Sequence, residues 1–367
     1  MNYYLLGRSG LRVSRLALGT MTFGSEWGWG AKKEGARELF DHYVAAGGNF
    51  FDTADLYTNG TSEKWLGEFI KDTRSRDRAV IASKFSYNAE PGNPNAGGNG
   101  RKNILRAVEG SLQRLGTDYL DLYFLHTWDT FTRPEEVMRT MDDLVTSGKV
   151  RHVGLSDVPA WYASRAQSIA EWRGYEPISA LQMEYSLVER SIEREFVDLG
   201  QETGMGIMVW SPLASGLLSG KYQPGANGVS GEGRLSQLAD SGNPAFAKFT
   251  DRNWQIVTTL EEVSNEIGQP MAAVATNWVA NQPGVGSVIV GATKLHQLEA
   301  NLKALDFNIP TELMAKLNAV SAPKTSFPYS FFTPGMQAML TGGAPTGNKP
   351  TNYAPSRLIA GAPVGVE

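Results

Sequence analysis

The sequence predicts an α/β chain closed into a (β/α)8 TIM barrel, and three observations predict it. Short, near-continuous apolar runs recur along the chain; helix-like segments separate them; and no G-x-G-x-x-G turn follows the first strand, as an open dinucleotide-binding sheet would require. With 367 residues, 41% of them hydrophobic, the chain is long enough for one large barrel and apolar enough to fill its core.

Eight runs qualify as buried strands. They are RLALGT at 15–20, GNFFD at 48–52, AVIASK at 79–84, YLDLYFLH at 119–126, VRHVGLS at 150–156, ISALQ at 178–182, GIMVW at 206–210 and GSVIVGA at 286–292. Between them, 101–115 and 134–146 carry Glu, Lys, Arg and Leu at helical spacing. The second opens with Pro134, Glu135 and Glu136, and Gly148 sits just past its end, which suits a helix start and stop. Residues 341–350, TGGAPTGNKP, fail the phosphate-loop pattern because Asn348 separates Gly347 from Lys349.

Two polar stretches interrupt the alternation, AEPGNPNAGGNG at 89–100 and the longer 223–243; both follow strand ends, where barrels keep long active-site loops. Residues 1–320 are therefore expected to form the barrel with an N-terminal hairpin. Residues 321–367 form a C-terminal extension, first aromatic (SFPYSFFTPGMQ) and then Gly/Pro-rich and flexible.

A net charge of −4 argues against nucleic acid or an anionic membrane as principal partner. The absence of cysteine removes disulfides, zinc-thiolate sites and thiol nucleophiles, and no metal site is expected. The apolar run in MNYYLLGRSG is too short for a signal peptide and no stretch approaches a membrane span, so a cytoplasmic protein is expected.

The chemistry gathers at strand ends. Asp52 closes the second run, Lys84 the third and His126 the fourth, with Tyr57 on the intervening loop, and neighbouring barrel strands converge at one mouth. Taken singly these are a cap, a solvated amine, a locally bonded imidazole and a packing phenol. Together, an ammonium stabilises phenolate, a carboxylate keeps the ammonium charged, and an imidazole orients a substrate oxygen.

Read with a gap at Thr61, DTADLYTNG-SEKWLG resembles the signature of the aldo-keto reductase superfamily. So do ASK, LDLYFLH, GKVRHVGLSD, ALQMEYSLVER, GIMVWSPLASGLLSGKY and VIVGATKLHQLEANL, in the family's order up to about Leu305. The look is nearest the aryl-alcohol dehydrogenase and potassium-channel β-subunit branch. The resemblance implies a barrel binding an extended nicotinamide dinucleotide without a Rossmann motif, and a catalytic tetrad of Asp52, Tyr57, Lys84 and His126, with Tyr57 as general acid in carbonyl reduction.

By the same resemblance, Gly19, Thr20, Met21, Asp52, Ser156, Asp157 and Gln182 fall at the nicotinamide end, with Trp210 stacking on the ring. Asp157 replaces the family's usual Asn; a carboxylate accepts from the carboxamide NH2 but has no hydrogen for its carbonyl. Ser211, Leu213, Ser215, Gly216 and Lys221 match the loop over the pyrophosphate. Gly291, Thr293, Lys294, Gln297 and Asn301 match the adenosine end, and Lys294 at a helix start favours NADPH over NADH.

Phe23, Trp27, Trp29, Phe85 and Trp128 lie just beyond strand ends, with Tyr329, Phe331 and Phe332 arriving from the tail; they are candidate walls for bulky, aromatic carbonyl or alcohol substrates. Two other readings stand: an NADPH-binding regulatory module with weak catalysis, and a lyase forming a Schiff base on Lys84. Homo-oligomerisation is left open.

Overall fold

The computed structural model describes residues 1–344, apart from 226, 227, 232, 239, 240, 244 and 245. The Gly/Pro-rich end of the tail, from residue 345, lies outside the described residues. The chain opens with a hairpin, β1 (Tyr3–Leu5) on β2 (Arg12–Ser14). Eight parallel strands follow: β3 (Leu16–Gly19), β4 (Phe50–Asp52), β5 (Val80–Phe85), β6 (Leu120–Leu125), β7 (Val150–Ser156), β8 (Ile178–Glu184), β9 (Gly206–Trp210) and β12 (Val285–Val290). β12 pairs with both β9 and β3, which closes the barrel. All eight apolar runs are thus barrel strands.

Helices α1 (Lys33–Ala45), α2 (Thr61–Asp72), α3 (Arg101–Leu115), α4 (Pro134–Thr146), α5 (Ala160–Arg173) and α6 (Phe196–Thr203) fill the crossovers. The loop after β9 carries a short hairpin, β10 (Gln223–Gly225) with β11 (Gly228–Ser230), and the helix α7 (Arg234–Leu238), so 223–243 is more structured than its composition suggests. After it come α8 (Asp251–Ile267), α9 (Met271–Ala280), α10 (Leu295–Leu302), α11 (Thr311–Ser321) and, in the tail, α12 (Pro334–Leu340). No helix of the described residues is long and apolar enough to cross a membrane.

Strand alternation sorts the core into two layers. Val80 and Ala82 face the barrel interior with Phe50, Leu122, Phe124, Ala180 and Met208, while Ile81 and Phe85 face the helices. Leu6 and Val13 of the hairpin join the interior cluster, each fully buried, a contribution of about 1.5–3 kcal/mol apiece. Gly7 is left-handed (φ 58°), and a Cβ there would lie 2.5 Å from the Gly204 carbonyl oxygen. Only glycine therefore lets the hairpin seat against the start of β9, closing the floor of the barrel.

Candidate active site

Parallel strands put their C-terminal ends on one rim, and a cavity of about 1280 Å³ opens there. After β4 ends at Asp52, the chain turns through Tyr57 with Thr58 and Asn59 left-handed (φ 47° and 56°), and the Thr58 hydroxyl donates to the Phe23 carbonyl at 2.6 Å. That fixed turn presents Tyr57 to β5. Lys84 Nζ donates to Asp52 Oδ2 at 2.7 Å, to the Thr53 carbonyl at 2.8 Å and to Tyr57 Oη at 3.1 Å. An ammonium has three hydrogens, and here each has an acceptor. Asp52 Oδ1 accepts from Gln182 Nε2 at 2.8 Å.

His126 follows β6, its ring 5.7 Å from that of Tyr57 and edge-on to it. Its Nδ1 is buried without a partner among the described residues. Burial holds its pKa well below the usual range, with Lys84 adding to the effect, so the imidazole is neutral. Burial also works against the Lys84 ammonium, but Asp52 and Tyr57 outweigh it and the net shift is upward. For Tyr57 the expected lowering is corrected: burial raises the phenol above its ordinary value, and Lys84 offsets only part of that rise.

Across the cavity, Asp157 is left-handed (φ 46°) and its Oδ1 accepts from Trp210 Nε1 at 3.1 Å. Burial pushes its carboxyl up to about 7; the Trp210 bond opposes this, Glu184 adds to it, and Lys84 opposes it. The neighbouring Ser156 hydroxyl is buried and has no partner among the described residues. Both line the cavity with Gly19, Met21 and Gln182. Thr20 does not: its hydroxyl donates to the Asp52 carbonyl at 3.0 Å and it sits in the core.

Beyond β9 the wall is Ser211, Leu213, Ser215, Gly216 and Lys221. Ser211, Ala214 and Ser215 are all left-handed, and the Ser215 N–H donates to Ser211 Oγ at 3.1 Å. A Cβ on Gly216 would come within 2.9 Å of Lys221 Nζ, so glycine admits the amine to the turn. At the far end, Gly291, Thr293, Gln297 and Asn301 line the cavity, with Gln297 Oε1 accepting from the N–H groups of Thr293 and Lys294. The Lys294 side chain is exposed outside the lining.

The aromatic walls need more correction. Trp27 and Trp29 line the cavity, and Trp27 meets Tyr57 edge-on at 6.4 Å. Phe23 and Phe85 do not: both are wholly buried, Phe23 on Phe69 and Phe85 on Tyr123, pointing to the helical layer. Trp128 packs on Trp161 and Tyr162 away from the lining. In the tail, the Tyr329 hydroxyl donates to Glu195, and Phe331 and Phe332 are exposed, so these three lie apart from the cavity. Of the two long loops, 89–100 stays clear of the lining, whereas Gly233, Arg234 and Asn243 enter it.

Among the cavity residues that escaped the sequence reading are Tyr87, Arg234, Glu184 and Lys248. Tyr87 stands edge-on to His126 at 5.0 Å. Arg234 sits between Trp29 and Phe246, 4.9 and 5.2 Å from their ring centres. Glu184, at the end of β8, pairs with Lys248 at 2.9 Å, tying the loop after β9 to the rim. The strand-end rule that selected Lys84 also points to Tyr87 and Glu184; Arg234 and Lys248 depend on how a long loop folds back.

The model of the Aldo/keto reductase family matches residues 15–322. An "Aryl-alcohol dehydrogenase [NADP(+)]" of Phanerodontia chrysosporium is 34% identical, the match covering 89% of this chain and 87% of that protein. A "Probable voltage-gated potassium channel subunit beta" of Oryza sativa subsp. japonica is 36% identical over 90% of this chain and all of its own length. A "Norsolorinic acid reductase stcV" of Emericella nidulans is 31% identical over 88% and 82%.

Proposed function

The chain belongs to the aldo/keto reductase family and is an NAD(P)H-dependent oxidoreductase of carbonyl and alcohol groups; from that premise, we propose that it reduces aromatic aldehydes and ketones with NADPH, Tyr57 supplying the proton. The observation that carries this reading is the hold on Lys84, whose third hydrogen lies on Tyr57 Oη in the cavity wall.

The residues present fit a dinucleotide. A cavity of about 1280 Å³ is larger than the roughly 300–1,000 Å³ of ordinary ligand pockets, and it runs from His126 to Asn301. The unpartnered Ser156 hydroxyl suits a carboxamide, and the Lys221 ammonium suits a pyrophosphate. Ser156, Asp157, Gln182 and Trp210 hold the nicotinamide end, the Ser211–Lys221 turn the phosphates, and the residues from Gly291 to Asn301 the adenosine, with Lys294 at the rim favouring the 2′-phosphate.

Bound there, the nicotinamide supplies hydride to the carbonyl carbon. Tyr57 gives its proton to the oxygen; burial makes the phenol a weaker acid, and the Lys84 ammonium beside it offsets part of that loss. Lys84 then faces the phenolate left behind, with Asp52 maintaining its charge. Neutral His126 donates one N–H to the substrate oxygen. Trp27, Trp29 and Tyr87 give the aromatic wall against which an aryl group packs. In the oxidative direction the same groups run in reverse.

A Schiff-base lyase needs a neutral amine with a free lone pair in the cavity. Lys84 is instead an ammonium with every hydrogen committed, standing behind Tyr57 rather than in the lining. The deciding assay is steady-state NADPH oxidation over a panel of aryl aldehydes and ketones, with Tyr57→Phe alongside. Loss of about 10²–10⁴ in turnover is expected; an unchanged rate would overturn the assignment, and NADPH binding without any oxidation would favour a regulatory module.

A further inference from the structure

A guanidinium without an anion faces the cavity from the loop after β9. That loop folds back over the rim and brings Arg234 against Trp29 and Phe246, 4.9 and 5.2 Å from their ring centres. The side chain is half-buried, and its Nε is shut off from solvent with no hydrogen-bond partner among the described residues. No carboxylate among the described residues pairs with it either. Two other cations nearby differ in this respect. Lys84 has all three hydrogens placed, and Lys248 is paired with Glu184, the carboxylate within electrostatic reach of Arg234.

Its place is beside the reacting end of the cavity. Trp29 touches Trp27 at 5.7 Å, and Trp27 meets Tyr57 edge-on at 6.4 Å. Tyr57, the two tryptophans and Arg234 thus form one wall, with the proton donor at one end and the cation at the other. Aromatic rings cover the face of a guanidinium and leave its N–H edges to donate; the edge carrying Nε and one Nη matches the two oxygens of a carboxylate. An enclosed donor without an acceptor is a standing cost, and an arriving carboxylate removes it. A neutral aryl carbonyl leaves that cost in place.

We propose that Arg234 selects carbonyl substrates that also carry a carboxylate, an aryl aldehyde-acid being the simplest member of the class. The inference rests on the reductase reading above. The aryl ring lies along Trp27 and Trp29, the carbonyl reaches Tyr57, and the carboxylate meets the Nε edge of Arg234. The carboxylate takes no part in the hydride and proton transfers and leaves unchanged in the alcohol product. The rival anion is the coenzyme pyrophosphate, since a Cβ on the adjacent Gly233 would lie 2.5 Å from Lys221 Nζ. The contact with Trp29 favours the substrate, because Trp29 belongs to the aromatic row that leads to Tyr57.

The test measures kcat/KM at saturating NADPH for 4-formylbenzoate and for its neutral methyl ester, in the wild type, Arg234→Met and Arg234→Lys. The ratio of acid to ester is taken within each protein, so damage to folding or to the coenzyme site divides out. The wild-type ratio is expected to exceed that of Arg234→Met by about ten- to a hundredfold, the worth of a hydrogen-bonded contact between charged groups, with Arg234→Lys between them and the difference carried by KM. Equal ratios in the wild type and Arg234→Met overturn the proposal and leave the reductase reading intact. If the ratios are equal and the NADPH Kd of Arg234→Met, read by fluorescence titration, is also weakened about tenfold, Arg234 serves the pyrophosphate instead. A wild type that reduces no carbonyl compound overturns both readings. A measurement without any variant stands beside these: benzoate should compete with an aryl aldehyde for the wild type about tenfold more tightly than benzamide, its neutral counterpart, and equal inhibition by the two refutes the proposal.

Discussion

Replacing Asp52 with Asn would remove a charge from one of the most enclosed ion pairs in the molecule. Lys84 is wholly buried and Asp52 is 3% exposed, so water cannot take the carboxylate's place. Breaking a buried pair from one side costs about 3–5 kcal/mol, because the remaining charge is left uncompensated. Unfolding entropy runs near 2.1 cal/mol/K per residue, or about 0.8 kcal/mol/K for 367 residues, so the melting temperature should fall by about 4–6 °C. The deficit should shrink as pH rises. With Asp52 neutral, burial lowers the folded-state pKa of Lys84 below its unfolded value of about 10.4, folding releases a proton, and stability recovers toward that pH. Adding Lys84→Met removes the stranded charge, and the double variant should be less destabilised than the sum of the singles by at least about 1 kcal/mol. Calorimetric or urea unfolding at pH 7 and 9.5 reads all three variants. Additive effects, or an Asp52→Asn shift under about 1 °C, would refute the electrostatic account of this cluster.

Three further expectations concern function. Tyr87→Ala should raise KM for aryl aldehydes about three- to tenfold, the worth of an aromatic contact, while leaving NADPH affinity unchanged in a fluorescence titration. Comparing kcat/KM with NADPH and NADH should favour NADPH, and Lys294→Ala should narrow the ratio; equal values in the wild type would reject the 2′-phosphate contact. Glu184→Gln breaks the pair with Lys248 that pins the loop after β9, and NADPH release followed by stopped flow should quicken severalfold.

The barrel was legible because strands buried on both faces must be apolar throughout, and all eight runs fell where such strands lie. The catalytic candidates were legible for a related reason. Phe50 and Asp52, Ala82 and Lys84, Leu122, Phe124 and His126, Ala180 and Gln182, and Met208 and Trp210 share the inward parity of their strands, so the polar member emerges at the mouth. The same parity would have removed Phe85, which alternates outward with Ile81, and would have added Glu184 two residues beyond Gln182. Proximity to a strand end was too coarse a rule for aromatic residues, which pack equally well against helices. Arg234 and Lys248 were beyond reach, because their positions follow from the fold-back of a long loop. The upward shift of Tyr57 was missed because spacing shows which charges are near, whereas the dominant influence here is exclusion of water.

The hairpin that plugs the barrel floor has a kinetic consequence. With Leu6 and Val13 sealing one end, the reaction chamber is a blind well, and everything that enters must depart by the same rim. Whatever occupies the deeper station has to arrive first and leave last, so a ligand lodged above it acts as a stopper. Such a vessel is expected to impose a sequence of arrivals, which product-inhibition patterns at steady state would read.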